Sequence, residues 1–503
     1  MVVRSLLRWL VRSLLALLSA LLLFGSAYYL HYLWSGPELK PWHTARLTAE
    51  FTARDYEDGT VTTLDQYRAR EQRVLDQVST DVYQKVAERD RLLLNRYHAG
   101  SLGDPGVWET NWNRTFVLEP AGPPVGGALL LHGLTDSPYS LRSVGLALAA
   151  RGFRVIGLRL PGHGTAPAGL LTFEVEDLEA ATELAMRDLR AGLAPGQPLY
   201  LLGYSNGAAL AVSYALDARE DAALPRPAGL VLISPAIGIT RLAALGRIRT
   251  GLSDLQGFGR AAWQVIEPEI DPYKYQSFSF HAAGQAQRLT SRLTRRIERL
   301  AEAGPLRGMP PILAFVSTVD ATVRAGAVVD GLLARLAPGG HELVLFDVNR
   351  LAAVAPMLVA DPAPLTRRLL EQAHRPYALA LITNAGPRTL EAKEHRVPAQ
   401  GMQATERSID QSWPTNVFSL SHVALPFPPD DPLYGYAAPR STRHIQLGSI
   451  EVRGENGVLN VPSWMLTRQR SNPFHRYLVD RIVQFVGAPP ALAGQRPAAA
   501  AAP

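Results

Sequence analysis

The chain has no cysteine among its 503 residues, and this absence removes several chemistries at once. Disulfides, thiolate catalysis and cysteine-ligated zinc are all excluded. The 12 histidines include no H-E-x-x-H pair, which disfavours a metal-dependent hydrolase. A P-loop is also lacking, as is a G-x-G-x-x-G motif after a first strand, so a nucleotide-binding enzyme is disfavoured.

Charge is in short supply too. Charged residues make up 19% of the chain, and no dense basic block with interleaved aromatic residues occurs. The formal net charge of +6 arises from scattered arginines, so we interpret it as a solvated surface and expect no nucleic-acid partner. Hydrophobic residues make up 47%, which is enough for a sizeable core. Length suggests about three domains, although one large α/β unit with insertions is common.

One long apolar run stands near the start of the chain. Leu14–Leu33 contains no charged residue, and its 20 residues, at a helical rise of about 1.5 Å, would cross a hydrocarbon core of about 30 Å. Arg4, Arg8 and Arg12 precede it, which keeps the extreme N-terminus cytoplasmic and places the bulk of the chain on the far side. The high Ala, Leu and Arg content suggests a bacterial source, and hence a periplasmic location for the main domain.

The same run has features of a cleaved signal peptide, because Gly25-Ser26-Ala27 is a passable cleavage site. The apolar stretch continues past that site to Leu33, which favours an uncleaved signal anchor. We therefore predict a single-pass membrane protein that is anchored by residues 1–35.

Residues 36–110 are predicted to form a linker and a helical extension. Gly36–Asp58 has the composition of a polar linker. Apolar residues in Leu64–Tyr97 recur at steps of three, four and seven, which indicates an amphipathic helix or helix pair packed on the main domain. Thr63 and Gln66 have the spacing of a capping box at its start.

From about Thr115, short apolar strands alternate with helices, and this alternation predicts a mostly parallel sheet covered on both faces. The predicted strands are Thr115–Leu118, Ala128–Leu131, Arg154–Leu160, Leu199–Leu202, Gly229–Ile233 and Ile312–Val316. The predicted helices are Ser140–Ala150, Glu174–Gly192, Ala208–Leu216 and a closing helix at Asn472–Val486. The main domain is expected to span residues 111–487.

Two insertions interrupt this alternation. Residues 236–305 are predicted to lie over the strand ends as a lid. Residues 338–414 contain the strand-like segments Leu343–Phe346 and Tyr377–Thr383, which would extend the sheet. The Pro/Ala-rich tail, residues 488–503, is predicted to be disordered.

The pentapeptide Gly203-Tyr204-Ser205-Asn206-Gly207 follows the apolar run Leu199–Leu202 and precedes a helix-prone segment. A strand, then G-x-S-x-G, then a helix is the layout of a nucleophile elbow, in which a strained turn exposes a serine hydroxyl. A plain strand-to-helix turn is the alternative, since small residues meet by chance in a chain with 41 glycines. We predict that Ser205 is the nucleophile.

A serine nucleophile also needs donors for the oxyanion. His132-Gly133-Leu134 follows a strand, and a glycine there lets the next N–H turn into the site. We predict the oxyanion hole to consist of the N–H groups of Leu134 and Asn206. His132 is interpreted as a residue that braces the loop.

The nucleophile further needs a base and an acid that orients it. Asp320 follows the strand Ile312–Val316; a helix-capping role is its alternative, and Asp347 is the rival acid. His422 ends an apolar run before a Pro-rich loop, with an ordinary loop histidine as the alternative. The other candidate bases are His341, His374 and His395.

Ser205, Asp320 and His422 appear in the order Ser, Asp, His, which is typical of α/β-hydrolases. The segment from Thr115 to Gly487 resembles this superfamily, and most closely its monoglyceride lipase and lysophospholipase-like branch. The shared phrases are Leu131-His132-Gly133-Leu134, Arg159-Leu160-Pro161-Gly162-His163-Gly164 and Gly203-Tyr204-Ser205-Asn206-Gly207.

This resemblance implies serine hydrolysis of carboxylic esters without a cofactor, with Ser205 as nucleophile, Asp320 as acid and His422 as base. His163 is expected to brace its loop. The expected substrate is a small-molecule or lipid ester, and the expected protein is a membrane-anchored esterase or lipase. An acyltransferase with the same catalytic residues and a non-catalytic envelope-binding module remain alternatives.

Overall fold

The structure is a computed structural model that describes residues 2–238, 259–353, 358, 361–401, 403–448, 453–454 and 467–487. Its α-helices are α1 (Val2–Ser35), α2 (Pro41–Thr44), α3 (Ala53–Glu57), α4 (Leu64–Asp81), α5 (Arg142–Ala149), α6 (Val175–Ala191), α7 (Asn206–Glu220), α8 (Phe280–Leu300), α9 (Ala325–Gly331), α10 (Ala363–Glu371) and α11 (His475–Phe485). The first seven strands are β1 (Phe116–Leu118), β2 (Gly126–Leu131), β3 (Phe153–Leu158), β4 (Leu199–Tyr204), β5 (Gly229–Ile233), β6 (Trp263–Val265) and β7 (Phe278–Ser279). The others are β8 (Ile312–Ser317), β9 (His341–Phe346), β10 (Tyr377–Asn384), β11 (Glu391–Val397), β12 (Thr405–Ser412), β13 (Arg453–Gly454) and β14 (Thr467–Arg468).

A ten-stranded sheet organises the molecule, with the strand order β1-β3-β2-β4-β5-β8-β9-β10-β11-β12. The seven strands from β3 to β10 in this order run parallel, and β1, β11 and β12 pair antiparallel at the two edges. The central strands are buried along nearly their whole length, because helices cover both faces of a parallel sheet. Each predicted strand is present, within two residues at either end. The mostly parallel α/β-hydrolase fold is therefore correct.

The structure corrects two expectations about the segment that precedes the sheet. Residues 36–58 are not an extended linker, since they form α2 and α3 and bury Trp42 and Phe51. The helix or helix pair predicted over Leu64–Tyr97 is a single α-helix that ends at Asp81, and the predicted capping box of Thr63 and Gln66 is present. Beyond Asp81 the chain forms only two short 3₁₀ helices, Tyr83–Lys85 and Glu88–Asp90, yet Val82, Val86 and Tyr97 are buried.

Valines in the irregular part, Val82 and Val86, pack with Tyr97 against Trp42 in a separate small cluster. The apolar spacing therefore correctly marked the buried valines and Tyr97, but not Leu93, which is exposed. It overestimated the helix, because a tightly turned segment can bury the same side chains.

The second insertion builds the far edge of the sheet. The predicted strand-like segments are β9 and β10, and the antiparallel strands β11 and β12 follow them. These last two strands were not predicted. Their sequences, such as EAKEHRV in β11, are rich in charge and lack an apolar run.

The N-terminal helix α1 is exposed along Trp9–Ala27, and this stretch is long and apolar enough to cross a membrane. A signal sequence near the N-terminus fulfils the same criteria of length and composition. Of the predicted lid, residues 239–258 lie outside the described residues, as does the predicted disordered tail, residues 488–503.

Candidate active site

The turn that follows β4 holds Ser205 in a strained backbone conformation. Its φ of 55° and ψ of −116° are rare for a residue with a side chain. A Cβ at Gly207 would collide with the carbonyl oxygens of Leu131 and His132, and one at Gly203 would collide with Ala208. Only glycine therefore fits at positions 203 and 207, two residues before and after Ser205, because β4 and α7 approach too closely for a side chain. This geometry is the sharp strand-to-helix turn of a nucleophile elbow.

His422 brings its imidazole to Ser205 from a position 217 residues further along the chain. It lies in a one-turn 3₁₀ helix, His422–Ala424, and its Nε2 is 2.9 Å from the Ser205 Oγ. Its Nδ1 is 2.8 Å from Oδ2 of Asp320. Both side chains are almost fully buried. The structure thus brings Ser205, His422 and Asp320 together in one hydrogen-bonded chain.

Asp320 uses its two carboxylate oxygens for two different tasks. Oδ2 faces His422, whereas Oδ1 accepts hydrogen bonds from the N–H groups of Thr322 and Val323, each at 2.8 Å. The carboxylate therefore also orders the turn that follows β8, as its alternative interpretation proposed. Burial disfavours the charge, but His422 and the two N–H donors outweigh this effect and hold the pKa of Asp320 below its usual value.

A cavity of about 460 Å³ opens over this hydrogen-bonded chain. Ser205 and His422 line it, together with Leu134 and Asn206, the residues predicted to supply the oxyanion hole. Much of the opposite wall comes from residues 259–300, here called the cap segment, which contains β6, β7 and α8. This segment contributes the apolar side chains Phe278, Phe280, Ala283 and Ala286 and the polar side chains Gln264, Lys274, Gln276 and Gln287.

The cap segment is tied to the predicted oxyanion loop by two contacts. The N–H of Tyr275 donates to the carbonyl oxygen of Thr135 at 2.9 Å. Lys274 Nζ forms an ion pair with Asp136 at 3.2 Å. Burial raises the pKa of Asp136 although Lys274 opposes this shift, so the pair is held in a poorly solvated position. Thr135 itself has a φ of 65°, so the loop needs such support to keep its shape.

Lys274 and the three cap glutamines were not identified from the sequence. No motif marks them, since they reach the cavity through the packing of an insertion on the strand ends. Asp136 directly follows the predicted oxyanion loop, but its partner Lys274 lies 138 residues away along the chain.

Two histidines near the site brace loops. His132 Nε2 accepts the N–H of Leu160 at 3.0 Å, and its Nδ1 is 2.9 Å from the carbonyl oxygen of Gly133. His163 Nδ1 is 2.8 Å from the carbonyl oxygen of Pro161. Burial lowers the pKa of His163 to about 4 and that of His132 well below its usual value, so both rings are neutral.

The rival acid and bases are engaged elsewhere. Asp347 forms an ion pair with Arg350 at 2.9 Å. His395 is paired with Glu406 on the antiparallel edge, and His341 is hydrogen-bonded to Ala337 and Ile312 at the start of β9. His374 is exposed on the loop before β10. None of them lines the cavity that contains Ser205.

Within the described residues, no group of three or more His, Asp and Glu side chains has an arrangement that could hold a metal ion. At the cavity, a hydroxyl, an imidazole and a carboxylate are hydrogen-bonded in sequence, with Leu134 and Asn206 in the cavity wall.

Comparison with known proteins places the segment that carries Ser205 and Asp320 in one family. Residues 122–330 match the Hydrolase_4 family, described as serine aminopeptidase, S33. A thermostable monoacylglycerol lipase of Bacillus sp. (strain H-257) is 27% identical over 209 residues, which are 40% of this chain and 72% of the relative. The family match ends before His422, so the predicted base lies outside it.

Solved structures with a similar chain path include two lipases. The monoacylglycerol lipase of Paleococcus ferrophilus is 20% identical, with a TM-score of 0.34, and covers 46% of this chain and 88% of its own. A soluble variant of the Saccharomyces cerevisiae monoglyceride lipase is 15% identical, with a TM-score of 0.35, and covers 46% of this chain and 82% of its own. Residues 122–330, which hold the sharp turn at Ser205 in a mostly parallel sheet, therefore match a family of serine hydrolases, and the chain resembles the monoglyceride lipase-like α/β-hydrolases.

Proposed function

We propose that this chain hydrolyses carboxylic esters through an acyl-enzyme formed on Ser205. The observation that carries the proposal is the hydrogen-bonded chain from Ser205 through His422 to Asp320, which ends in a cavity at a strained turn. A serine hydroxyl is a weak nucleophile until a base takes its proton. His422 Nε2 lies 2.9 Å from the Ser205 Oγ and is placed to do so.

The reaction begins when Ser205 Oγ attacks the ester carbonyl and its proton passes to His422. Asp320 keeps the Nδ1–H of the ring in place and stabilises the imidazolium that forms. The oxyanion rests on the N–H groups of Leu134 and Asn206, and each such donor typically supplies about 2.7–4 kcal/mol of transition-state stabilisation. His422 then protonates the leaving alcohol, and water enters to release the acid and restore the serine.

The walls of the cavity favour a substrate with an apolar acyl chain. Phe278, Phe280 and two cap alanines supply apolar surface to the cavity, and three glutamines supply hydrogen-bonding groups. A lipid ester with a small polar head combines these two features. The relative from Bacillus is named a monoacylglycerol lipase, and a monoacylglycerol is an ester of this kind.

The protein is further proposed to be held at a membrane by α1, with its catalytic domain outside the cytoplasm. The apolar stretch Trp9–Ala27 has the length of a membrane span. Arg4 and Arg8 precede it and Arg12 lies in its first turn, which fits the positive-inside tendency.

The decisive experiment compares the wild-type chain with Ser205→Ala in two assays, turnover of a short p-nitrophenyl ester and labelling by a fluorophosphonate probe. We expect the variant to lose both activities while its thermal unfolding stays close to that of the wild type. Ser213→Ala is the matched control, because Ser213 lies outside the cavity on α7, the helix that follows Ser205.

Wild-type-like turnover by Ser205→Ala would remove Ser205 from the mechanism. A folded wild-type protein that never reacts with the probe would instead favour a non-catalytic binding module. Addition of an alcohol acceptor distinguishes a third outcome, since an acyltransferase would form a new ester in preference to the free acid.

A further inference from the structure

An exposed run of leucines stands out on the surface of the N-terminal extension. Beyond α1, the described part of the chain exposes five large apolar side chains, namely Leu92, Leu93, Leu94, Val125 and Val265. Leu92 is 62% exposed, Leu93 is 67% exposed and Leu94 is 40% exposed. Single exposed leucines are ordinary, but three in succession form a patch that calls for an apolar partner. Residues 92–94 are here called the leucine loop.

The leucine loop lies beside the point at which α1 joins the folded domain. Helix α1 ends at Ser35, and Glu38 forms an ion pair with Arg89 at 2.7 Å. Lys40 forms a second ion pair with Asp90 at 2.8 Å. The chain that leaves the apolar helix is therefore fixed to the residues immediately before the leucine loop.

The leucine loop is also joined to the cap segment that walls the cavity. The N–H of Arg96 donates to the carbonyl oxygen of Glu269 at 2.8 Å, and its guanidinium donates to that of Asp271 at 3.3 Å. A Cβ at Gly103 would lie 2.6 Å from the Leu94 carbonyl oxygen and 2.9 Å from that of Ile270, so these backbones are in close contact. A surface that engages the leucine loop therefore acts on a part of the molecule that is rigidly connected to the cavity.

The charges that flank the leucine loop in the chain are paired. Arg91 is paired with Glu88 at 3.0 Å, and Lys85 with Asp81 at 2.6 Å, in addition to the two pairs described above. These four ion pairs offer no excess positive charge to anionic lipid headgroups. Its affinity for a membrane must come from the burial of leucine side chains, and this predicts little dependence on salt or on lipid charge.

We propose that the leucine loop inserts into the same lipid surface that α1 crosses, and thereby holds the cap segment and the cavity close to that surface. This inference rests on the membrane attachment proposed above. A lipid surface is favoured over a protein partner because the ion pairs of Glu38 and Lys40 place the loop next to the apolar helix itself. A substrate that leaves the bilayer would then reach the cavity along the cap segment.

The absence of cysteine permits a direct test in the full-length protein. Leu93→Cys introduces a single thiol that can carry an environment-sensitive fluorophore, and the labelled protein is placed in phosphatidylcholine nanodiscs. We expect quenching by lipids brominated in the acyl chain, and at least about fivefold lower quenching by aqueous iodide than at the control position. The control is Val125→Cys. Val125 is 42% exposed and precedes β2 at the amino ends of the parallel strands, whereas Ser205 follows the carboxyl end of β4.

The result should be the same when about a third of the lipid is anionic, because the flanking charges are paired. A label at Leu93 that is as accessible to iodide as the label at Val125 would overturn the proposal. A label that is shielded from iodide but not quenched by brominated lipid would also overturn it, in favour of a protein partner or a second copy of the chain.

Catalysis gives an independent measurement. The triple variant Leu92→Ser, Leu93→Ser, Leu94→Ser should hydrolyse a long-chain ester dissolved in the nanodisc about tenfold more slowly than the wild type. Its turnover of a short soluble ester should be unchanged, since these residues do not line the cavity. Equal rates on the bilayer-borne ester would contradict the insertion, whereas a wild-type chain inactive on both esters would contradict the proposed function instead.

Discussion

Two buried charge networks lie on either side of the strand that precedes Ser205, and only one of them ends in a hydroxyl that faces a cavity. In the sheet, β3 lies two strands from β4 on one side and β8 lies two strands from it on the other. Arg159 follows β3 and binds Glu50 and Glu71 of the N-terminal extension. Asp320 follows β8 and binds His422.

The network of Arg159 is closed around its buried cation, and we call it the closed network. The guanidinium is fully buried, meets Glu50 at 2.7 Å and Glu71 at 3.2 Å, and also donates to the carbonyl oxygen of His163. Burial disfavours the charge of Glu50, but Arg159 outweighs that effect and lowers the pKa of Glu50. The hydroxyl of Tyr67 donates to the carbonyl oxygen of Arg159 at 2.5 Å. This network fastens the extension to the sheet.

The network of Asp320 also contains a buried carboxylate with a hydrogen-bonded partner, but it ends at a serine hydroxyl. Its last member, Ser205, is partly exposed and lines the cavity. The comparison indicates that burial and pairing of charges alone do not identify a catalytic site. What distinguishes the network of Asp320 is a terminal hydroxyl that is hydrogen-bonded to an imidazole and faces a cavity.

The largest expected effect comes from breaking the open network at its acid. Asp320→Asn should lower kcat on a short soluble ester by about 10⁴-fold, because an amide cannot stabilise the imidazolium. Asp347→Asn is the matched control, since that carboxylate pairs with Arg350 outside the cavity. Comparable losses in the two variants would mean that the acid has been misassigned.

A substitution in the closed network of Arg159 should lower the stability of the fold. Arg159→Met leaves Glu50 and Glu71 buried without their cation and should lower the free energy of unfolding by about 3–5 kcal/mol. Thermal unfolding of the detergent-solubilised chain measures this loss. The exposed pair of Arg187 and Glu183 provides the control, because Arg187→Met should cost only about 0–1 kcal/mol. If both variants unfold alike, the closed network is not what holds the extension.

Glu269 differs from the acids of both networks, because it is a buried carboxylate whose hydrogen bonds come from backbone N–H groups. Burial raises its pKa to about 7, although the N–H groups of Gln276 and Ser277 oppose the shift. A raised carboxyl pKa stabilises the fold below the unfolded value of 4.5, and this contribution is lost as pH rises through 7.

Between pH 5 and 8, therefore, the wild type should lose about 1–3 kcal/mol of stability relative to Glu269→Gln. Unfolding curves of both proteins across this range provide the measurement. A stability difference that does not change with pH would show that Glu269 is ionised alike in the folded and unfolded states.

The smallest effect is expected at the ion pair between the two networks, Lys274 with Asp136. Lys274→Met should lower kcat about tenfold with little change in KM, because the predicted oxyanion loop loses one of its two contacts with the cap segment. Lys274→Arg should recover most of the rate. A change confined to KM would instead indicate that Lys274 binds substrate and does not position the loop.

Much of the architecture could be predicted from local patterns. The central strands are short apolar runs. The nucleophile elbow is recognisable from Gly203 and Gly207, which are required where β4 meets α7. The position of Asp320 after a buried strand was also informative, since parallel strands present their carboxyl ends at one edge of the sheet. These features depend on neighbours in the chain and are therefore visible in it.

Other features depend on contacts between distant segments, and local patterns predicted them poorly. Helix α4 ends at Asp81 because the valines beyond it pack around Trp42. The charged strands β11 and β12 are held by the edge of the sheet, which offers them hydrogen bonds that their own composition does not demand.

The amino-acid sequence by itself determined the parallel sheet, the apolar N-terminal helix and the serine at a glycine-flanked turn, because hydrophobic period and steric size act over a few residues. Tertiary structure decided that His422, the histidine favoured by the sequence among several candidates, meets that serine, and that Lys274 reaches the cavity from an insertion. It also decided that Arg159 is sealed while Ser205 is open. These outcomes depend on distances between segments up to 217 residues apart, which only the packing of the folded chain sets.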